Sequence, residues 1–210
     1  ILSHFNNEMQ NSPIQGLGHA DFVQAPDGSW WVIFLGYRTH GYLQHVMGRE
    51  TFLAPVQWEK GSWPVVNKNG TVQIDMDCKT LPQVKLPEDP ETDDFSQTKL
   101  AWCWSYLCNP FFENYSLTER KGYLRMKASE KTIDQVGTLT FIGRRQTEPR
   151  FQATTAIDVS SLKEGEEAGI TAYAAHTNHY DVVVECRGGR KYVKAYIRIG
   201  QVRHVEKEFP

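Results

Sequence analysis

Two short clusters in this 210-residue chain combine residue types that can act on a polar substrate. In the run Gly16-Leu17-Gly18-His19-Ala20-Asp21, the glycines let the backbone turn sharply and present the His19 imidazole at the entrance of a strand. The second cluster, His45 to Thr51, contains Arg49, whose planar fork suits a carboxylate or sugar hydroxyl groups. Neighbouring strand residues point to opposite faces, so we expect Glu50 to pack away from Arg49.

Each cluster also has a structural interpretation. A single histidine such as His19 is more often a satisfied structural group than a ligand, and Arg49 fits a surface salt bridge about as well as a binding role. His176-Thr177-Asn178-His179 contains two metal-ligand types, although a polar loop between strands is the favoured interpretation.

Tryptophans are the other residues that suit a sugar, because a flat aromatic face can stack on a pyranose ring. Strand tryptophans more often belong to a core, which is the favoured interpretation for four of them: Trp30, Trp31, Trp58 and Trp63. Trp102 and Trp104 share one face of a predicted strand, and we interpret them as core or domain-interface residues.

The elements that position these residues are predicted to be strands, because helical periodicity is almost absent. Residues 1–78 contain about five or six strand-like runs separated by turn signals such as Asn69-Gly70. The predicted strands of this part are Phe22–Gln24, Ser29–Tyr37, Thr51–Trp58, Trp63–Val66 and Thr71–Met76.

Residues 79–93 contain Pro82, Pro87 and Pro90 among charged residues, which opposes a helix or a central strand and predicts an extended linker. Residues 94–210 then form a second domain of short strands, of which Arg150–Val159 and Lys191–Ile199 alternate with a period of two. Gly188-Gly189 predicts a tight hairpin, and many short antiparallel strands favour a β-sandwich. The other predicted strands of this domain are Ala101–Tyr106, Tyr115–Glu119, Tyr123–Lys127, Thr138–Gly143, Ala168–Ala174 and Tyr180–Arg187.

Composition excludes some function classes. The net charge of −2 does not suit nucleic-acid binding, which needs a concentrated basic face, and no apolar run approaches the roughly 18 residues of a membrane span. The irregular spacing of the four cysteines predicts free, mostly buried thiols and leaves disulfides open; they are Cys78, Cys103, Cys108 and Cys186.

Four blocks, in their order and spacing, resemble glycoside hydrolase family 43 in its β-xylosidase and α-L-arabinofuranosidase branch. They are Gly18–Asp21, Asp27–Trp31, Gly48–Val56 and Trp63–Val66. Downstream, Trp102-x-Trp104, Asn109-Pro110 and the run from Tyr115 to Arg125 resemble the β-sandwich appended in that branch. The resemblance implies an all-β chain: the last part of a five-bladed β-propeller in residues 1–78, followed by a concanavalin-like β-sandwich, truncated at its C-terminal end, in residues 94–210.

The resemblance also implies an inverting hydrolase of β-1,4-xylosides or α-L-arabinofuranosides. In the family a general base, a pKa-modulating aspartate and a general acid come from earlier blades, so we assign no catalytic residue here and expect this chain alone to be inactive. Asp21, Glu50, Asp75 and Asp77 match none of the family's catalytic motifs. By resemblance, His19 supports the site or an axial ion near the propeller axis. Arg49 reaches the active-site floor, where it contacts the modulating carboxylate or the sugar.

Further expectations concern partners and cellular context. The resemblance implies a xylo- or arabino-oligosaccharide as ligand, missing N-terminal blades as structural partners, no required cofactor and room for a calcium ion on the axis of the intact propeller. The chain begins at Ile1 without a signal pattern, so export is left open, with a periplasmic or extracellular bacterial location favoured. The alternative function is a non-catalytic sandwich that binds carbohydrate or serves as an architectural module.

Overall fold

The computed structural model describes residues 2, 4, 11–41, 43–77 and 80–210, and the chain divides into two compact units. The first comprises Ile1–Pro87 together with the short segment Gln146–Phe151, and the second comprises Glu88–Arg145 and Gln152–Pro210. Within the described residues the only helical element is the 3-10 turn Phe112–Asn114, so the all-β expectation is confirmed.

The first unit contains a four-stranded antiparallel meander in which each strand pairs with the next along the chain. Its strands are β1 (Ile14–Gln24), β2 (Trp30–Arg38), β3 (Glu50–Gln57) and β4 (Val65–Val66). The β1–β2 turn is closed by Asp27, whose Oδ1 accepts the Ser29 backbone N–H at 3.0 Å and the Ser29 hydroxyl at 2.6 Å. This sheet has the size of one propeller blade.

The core of the first unit lies on one face of this meander. Its fully or nearly fully buried members are Ile14, Val32, Phe34, Ala54, Val56, Val66 and Val72. His4 closes the core: its Nδ1 donates to the Ile14 carbonyl at 2.7 Å, and its Nε2 accepts the Val72 N–H at 3.0 Å. Both ring nitrogens of this buried histidine are therefore used within the protein.

The strand predictions for residues 1–78 need two corrections. The first strand begins at Ile14 rather than Phe22, because glycines and bulges hide its alternation. Thr71–Met76 is not a strand. A turn does form at Asn69, whose Oδ1 accepts the Thr71 N–H at 3.3 Å. The backbone that follows this turn bonds to His4 instead of joining a sheet. The described residues of this region hold four strands, fewer than expected.

The second unit contains another four-stranded antiparallel meander, ordered β12-β11-β10-β9. Two small two-stranded sheets, β5 with β8 and β6 with β7, precede it in the chain. The strands are β5 (Trp104–Ser105), β6 (Tyr115–Ser116), β7 (Arg125–Met126), β8 (Gly143–Arg144), β9 (Glu167–Ala175), β10 (Asn178–Arg187), β11 (Arg190–Ile199) and β12 (Val202–Phe209).

The β9–β12 sheet has one polar and one apolar face, as the alternation of its strands predicts. Residues directly opposite each other share a face, so Val182 lies with Ala195 and Ile170, whereas Asp181 lies with Tyr196 and Thr171. The apolar face remains substantially exposed within the described residues, with Val182 at 50%. An apolar face of this kind is what one layer of a β-sandwich presents to the other.

Several expectations for the second unit need correction. Three predicted strands shrink to two strand residues each, and a fourth contributes only Gly143; they are Ala101–Tyr106, Tyr115–Glu119, Tyr123–Lys127 and Thr138–Gly143. Arg150–Val159 forms no strand and lies largely exposed, because its alternating pattern has no pairing partner in the described chain. Trp102 is fully exposed, so the core interpretation is wrong for it, while the domain-interface alternative stays a prediction. Cys103, Cys108 and Cys186 are free, but Cys108 is exposed rather than buried, and Cys78 lies outside the described residues.

No helix in the described parts of the chain is long and apolar enough to cross a membrane.

Candidate functional site

Strand β1 carries two bulges in its pairing with β2. Two residues of β1 lie opposite one residue of β2 both between Gln15 and Gly18 and between Gly18 and Asp21. A bulge adds an unpaired residue, bends the strand and re-aims the side chains next to it. His19 lies in the second bulge, within the strand rather than at its entrance as the sequence predicted.

The backbone of His19 has φ +51°, in the left-handed region that few non-glycine residues adopt. The side chain is exposed, and no hydrogen bond to its ring is present in the described part of the chain. His4 provides the contrast, since both of its ring nitrogens are bonded in the core. Among the described residues His19 therefore has none of the ring hydrogen bonds that fix His4, and its left-handed backbone is a strained conformation.

Gly16 makes the first bulge possible. It has φ +63°, and a Cβ at this position would overlap the ring of Tyr37. The same Tyr37 ring packs against His45, with centroids 4.2 Å apart and an interplanar angle of 34°. The glycine of the predicted motif is thus required both by its backbone conformation and by the close approach of Tyr37.

Arg49 immediately precedes β3, and its side chain is exposed. Among the residues that the structure describes, Arg49 has no ion-pair partner, so the salt-bridge interpretation finds no support there. Its guanidinium is available to a carboxylate or to the hydroxyl groups of a ligand.

Glu50 pairs with Arg38 rather than with Arg49, and the sequence analysis did not predict this partner. Nε of Arg38, at the end of β2, donates to Glu50 Oε1 at 3.1 Å and to Oε2 at 3.0 Å, and Nη2 lies 3.0 Å from Oε1. This contact raises the pKa of Arg38, chiefly through its hydrogen bond to Glu50. The feature that could have indicated the Arg38–Glu50 pair is the antiparallel pairing of β2 with β3, which places Glu50 opposite Gly36 and near Arg38.

His19 lies on β1, whereas Arg49 lies just before the first residue of β3. Gly18 pairs with Leu35, and Leu35 pairs with Thr51, so β2 lies between the two candidate residues. Two strand spacings correspond to about 10 Å.

The carboxylates considered from sequence form no acid–base pair among the described residues. Asp21, Asp75 and Asp77 are exposed, and Glu50 is occupied by Arg38. In the same residues no cluster of three or more histidine, cysteine, aspartate or glutamate side chains could hold a metal ion.

The tryptophans of the first unit divide into two groups. Trp31 is buried, and its Nε1 donates to Ser29 Oγ at 2.8 Å, so the core interpretation holds for it. Trp58 and Trp63 are 41% and 80% exposed and line a cavity of about 560 Å³ with Phe22, so that interpretation is wrong for them in the described chain. Trp30 is half-buried and packs on Trp58, with ring centroids 4.9 Å apart.

The second unit holds a buried histidine that sequence analysis placed in a polar loop. His179 lies on β10, fully buried, with Nδ1 2.7 Å from Asp181 Oδ2 and Nε2 3.2 Å from Asp134 Oδ1. Arg198 and Arg203 approach Asp134 at 3.8 and 3.4 Å. Only His176 and Thr177 form the turn, so the histidine pair is not a loop site.

Comparison with protein families identifies this arrangement. Residues 92–209, more than half of the chain, match the model described as the β-xylosidase C-terminal concanavalin A-like domain. The chain belongs to glycoside hydrolase family 43. Residues 2–64 match the model of glycosyl hydrolases family 43 itself. This family 43 chain therefore combines the closing strands of a propeller with a β-sandwich.

Curated relatives carry glycosidase names. The chain is 41% identical, over 91% of its length, to the non-reducing end α-L-arabinofuranosidase BoGH43B of Bacteroides ovatus, of which it covers 36%. It is 32% identical, over 96% of its length, to a xylosidase/arabinosidase of Butyrivibrio fibrisolvens, of which it covers 38%. This family 43 chain thus spans well under half the length of these relatives.

Solved structures agree with this family 43 assignment. The Bacteroides ovatus xyloglucan PUL GH43B structure matches 97% of this chain with a TM-score of 0.81 at 34% identity, and the match covers 41% of that protein. The GH43 protein BlXynB of Bacillus licheniformis matches 99% of the chain with a TM-score of 0.82 at 25% identity, covering 40% of that protein.

Proposed function

We propose that this chain is the closing part of a glycoside hydrolase that removes α-L-arabinofuranosyl or β-1,4-xylosyl residues from the non-reducing ends of plant hemicellulose. The observation that carries the proposal is the 41% identity, over 91% of the chain, to a non-reducing end α-L-arabinofuranosidase. The xylosidase/arabinosidase relative leaves both sugars as candidate substrates.

In this proposal His19 and Arg49 line the sugar pocket. The left-handed backbone and exposed ring of His19 support its role at the propeller axis, where it would order the site or the waters of an axial ion. The guanidinium of Arg49, which has no ion-pair partner among the described residues, would contact sugar hydroxyl groups or hold the modulating carboxylate ionised, since an adjacent positive charge lowers a carboxyl pKa.

The proton-transfer groups are proposed to lie upstream of Ile1. Inverting hydrolysis needs a general acid and a general base about 6.5–9.5 Å apart, with a water between the base and the anomeric carbon. The acid protonates the leaving oxygen while the base removes a proton from the attacking water, so the anomeric configuration inverts in one step. This chemistry requires no cofactor, and a calcium ion on the propeller axis would have a structural role.

The test uses the intact protein that contains this chain, assayed on 4-nitrophenyl α-L-arabinofuranoside and 4-nitrophenyl β-D-xyloside. We expect turnover of at least one, and NMR spectra of the first product should show the inverted anomer. Absence of turnover on both would contradict the hydrolase proposal, whereas a retained anomer would contradict only the inverting mechanism. Residues 1–210 alone are expected to be inactive.

A second candidate function is carbohydrate binding by the second unit. The observation that favours it is Trp102, whose fully exposed ring offers a stacking face for a pyranose. Residues 88–210 would then bind insoluble xylan in a pull-down assay, and Trp102→Ala would abolish the binding. Equal recovery of the wild-type and variant proteins in the unbound fraction would leave an architectural role for this unit.

A further inference from the structure

Arg38, in the first unit, contacts residues up to 110 positions away in sequence. It ends β2, and its guanidinium holds both carboxylate oxygens of Glu50, the first residue of β3. Each side chain is about one-quarter exposed, at 25% and 26%, so the pair is partly shielded from water. A guanidinium gripping a carboxylate with several hydrogen bonds fixes orientation as well as distance.

The same guanidinium holds a segment more than 100 positions away in sequence. Nη2 of Arg38 donates to the Thr147 carbonyl at 2.9 Å, and Nη1 lies 3.3 Å from Glu148 Oε2. The segment Gln146–Phe151 belongs to the first compact unit although the residues on both sides of it belong to the second. All three nitrogens of Arg38 are therefore engaged, and together they cross-link β2, β3 and this segment.

Glu50 follows Arg49 directly, which connects this cross-link to the pocket. Arg49 precedes Glu50, the first residue of β3, so the anchored Glu50 carboxylate restrains the backbone at the base of the Arg49 side chain. Arg49 has no ion-pair partner within the described residues that would otherwise fix its direction. Its orientation thus depends on the backbone that Glu50 anchors.

We propose that Arg38 is a positioning residue for the sugar pocket: through Glu50 it fixes the backbone that directs Arg49, and through Thr147 and Glu148 it fastens the segment Gln146–Phe151 to the same point. The proposal rests on the proposed function, because it takes Arg49 to be a pocket residue. Arg38 itself need not touch the sugar.

The kinetic test is a double-mutant cycle in the intact protein. Arg38→Gln should lower kcat/KM by about 10- to 100-fold, since small misplacements of a binding group can have effects of this size. In an Arg49→Gln background the same change should have less than a threefold effect, because the group that Arg38 positions is gone. Arg38→Lys should not restore activity, as a lysine cannot form the fork. Equal effects of Arg38→Gln in both backgrounds would overturn the proposal.

Arg120→Gln is the matched control. Arg120 also pairs with a carboxylate, that of Asp158, but both side chains are about half exposed, at 50% and 40%, and lie in the second unit. This variant should keep wild-type kcat/KM. A loss equal to that of Arg38→Gln would overturn the proposal, because it would show that removal of any surface arginine has this effect.

A measurement independent of activity separates this inference from the proposed function. Hydrogen exchange followed by mass spectrometry should show about tenfold faster exchange in peptides spanning residues 48–53 and 146–151 of Arg38→Gln, with no change in Arg120→Gln. Unchanged exchange in both peptides would overturn the proposal. An intact protein inactive on both nitrophenyl substrates would instead contradict the proposed function, while the exchange data would still decide whether Arg38 holds the two segments.

Discussion

The ring of Tyr37 occupies the space that a side chain at Gly16 would need: a Cβ on Gly16 would lie 2.7 Å from Cδ1 of Tyr37 and closer still to Cε1. Gly16 also has φ +63°, so sterics and backbone conformation both demand glycine at the first bulge of β1. That bulge and the next one carry the strand to His19. The path of β1 past the candidate site therefore depends on a residue with no side chain.

Gly16→Ala should destabilise the protein by about 2 kcal/mol, because alanine has to adopt a left-handed backbone and displace the Tyr37 ring. Gly28→Ala is the matched control: it has φ +86° but open space around its Cβ position, so it reports the backbone cost alone. Urea unfolding of both variants measures the difference. Equal losses of unfolding free energy would contradict the role of Tyr37.

His19→Gly should increase stability while decreasing activity. Glycine removes the cost of a left-handed backbone, about 1 kcal/mol, and the melting temperature should rise by about 2–4 °C. Loss of the imidazole should lower kcat/KM of the intact enzyme by about tenfold or more. His19→Ala is the control, since it should lose the same activity without the gain in stability. Wild-type activity in both variants would contradict a pocket role for His19.

Asp181→Asn should destabilise the second unit by about 3 kcal/mol, because it leaves the buried His179 without its closest anionic partner. The exposed Asp158, paired with Arg120, provides the comparison, and Asp158→Asn should change the melting temperature very little. Thermal unfolding followed by circular dichroism distinguishes the two. A small effect for Asp181→Asn would mean that the His179 cluster contributes little to stability.

Glu167 provides a pH-dependent prediction. Burial raises its pKa above the ordinary value of 4.5. Between pH 4.5 and the folded-state pKa, the folded chain retains a proton that the unfolded chain has lost, so the free energy of unfolding falls as pH rises through this window.

Glu167→Gln removes this penalty. The melting temperature should rise by about 1–3 °C at pH 7, a modest gain because the side chain is partly exposed and screened by solvent. The gain should disappear below pH 4.5, where both states are protonated. An equal gain at pH 4 and pH 7 would show that the effect does not come from the carboxylate charge.

The sequence analysis succeeded where alternation and turn chemistry agree. The Gly188-Gly189 hairpin and the period-two pattern of Lys191–Ile199 appear as predicted, with Val184 paired to Val193 across the turn. It failed for Arg150–Val159, which has the same alternation. A period of two defines the two faces of a strand but not the strand that will pair with it, and this segment finds none in the described chain.

The candidate site was predictable in part. Residue types and motif order indicated His19 and Arg49, but not the second bulge of β1 that strains His19, because bulges depend on the pairing register with β2. The Arg38–Glu50 pair was hidden for the same reason. Their positions differ by 12 residues, and only the β2–β3 register brings them together. The contacts of Arg38 with residues 147 and 148 depend on tertiary structure that no local sequence pattern encodes.

The most direct test of the central claim is the effect of Arg49→Gln on kcat/KM of the intact protein, measured on its better nitrophenyl substrate. Because Arg49 is exposed and unpaired among the described residues, its replacement should leave the melting temperature within about 1 °C. If its guanidinium contacts the sugar or the modulating carboxylate, kcat/KM should fall by about 100-fold. A value within twofold of wild type, with an unchanged melting temperature, would contradict the claim that this chain supplies Arg49 to the sugar pocket.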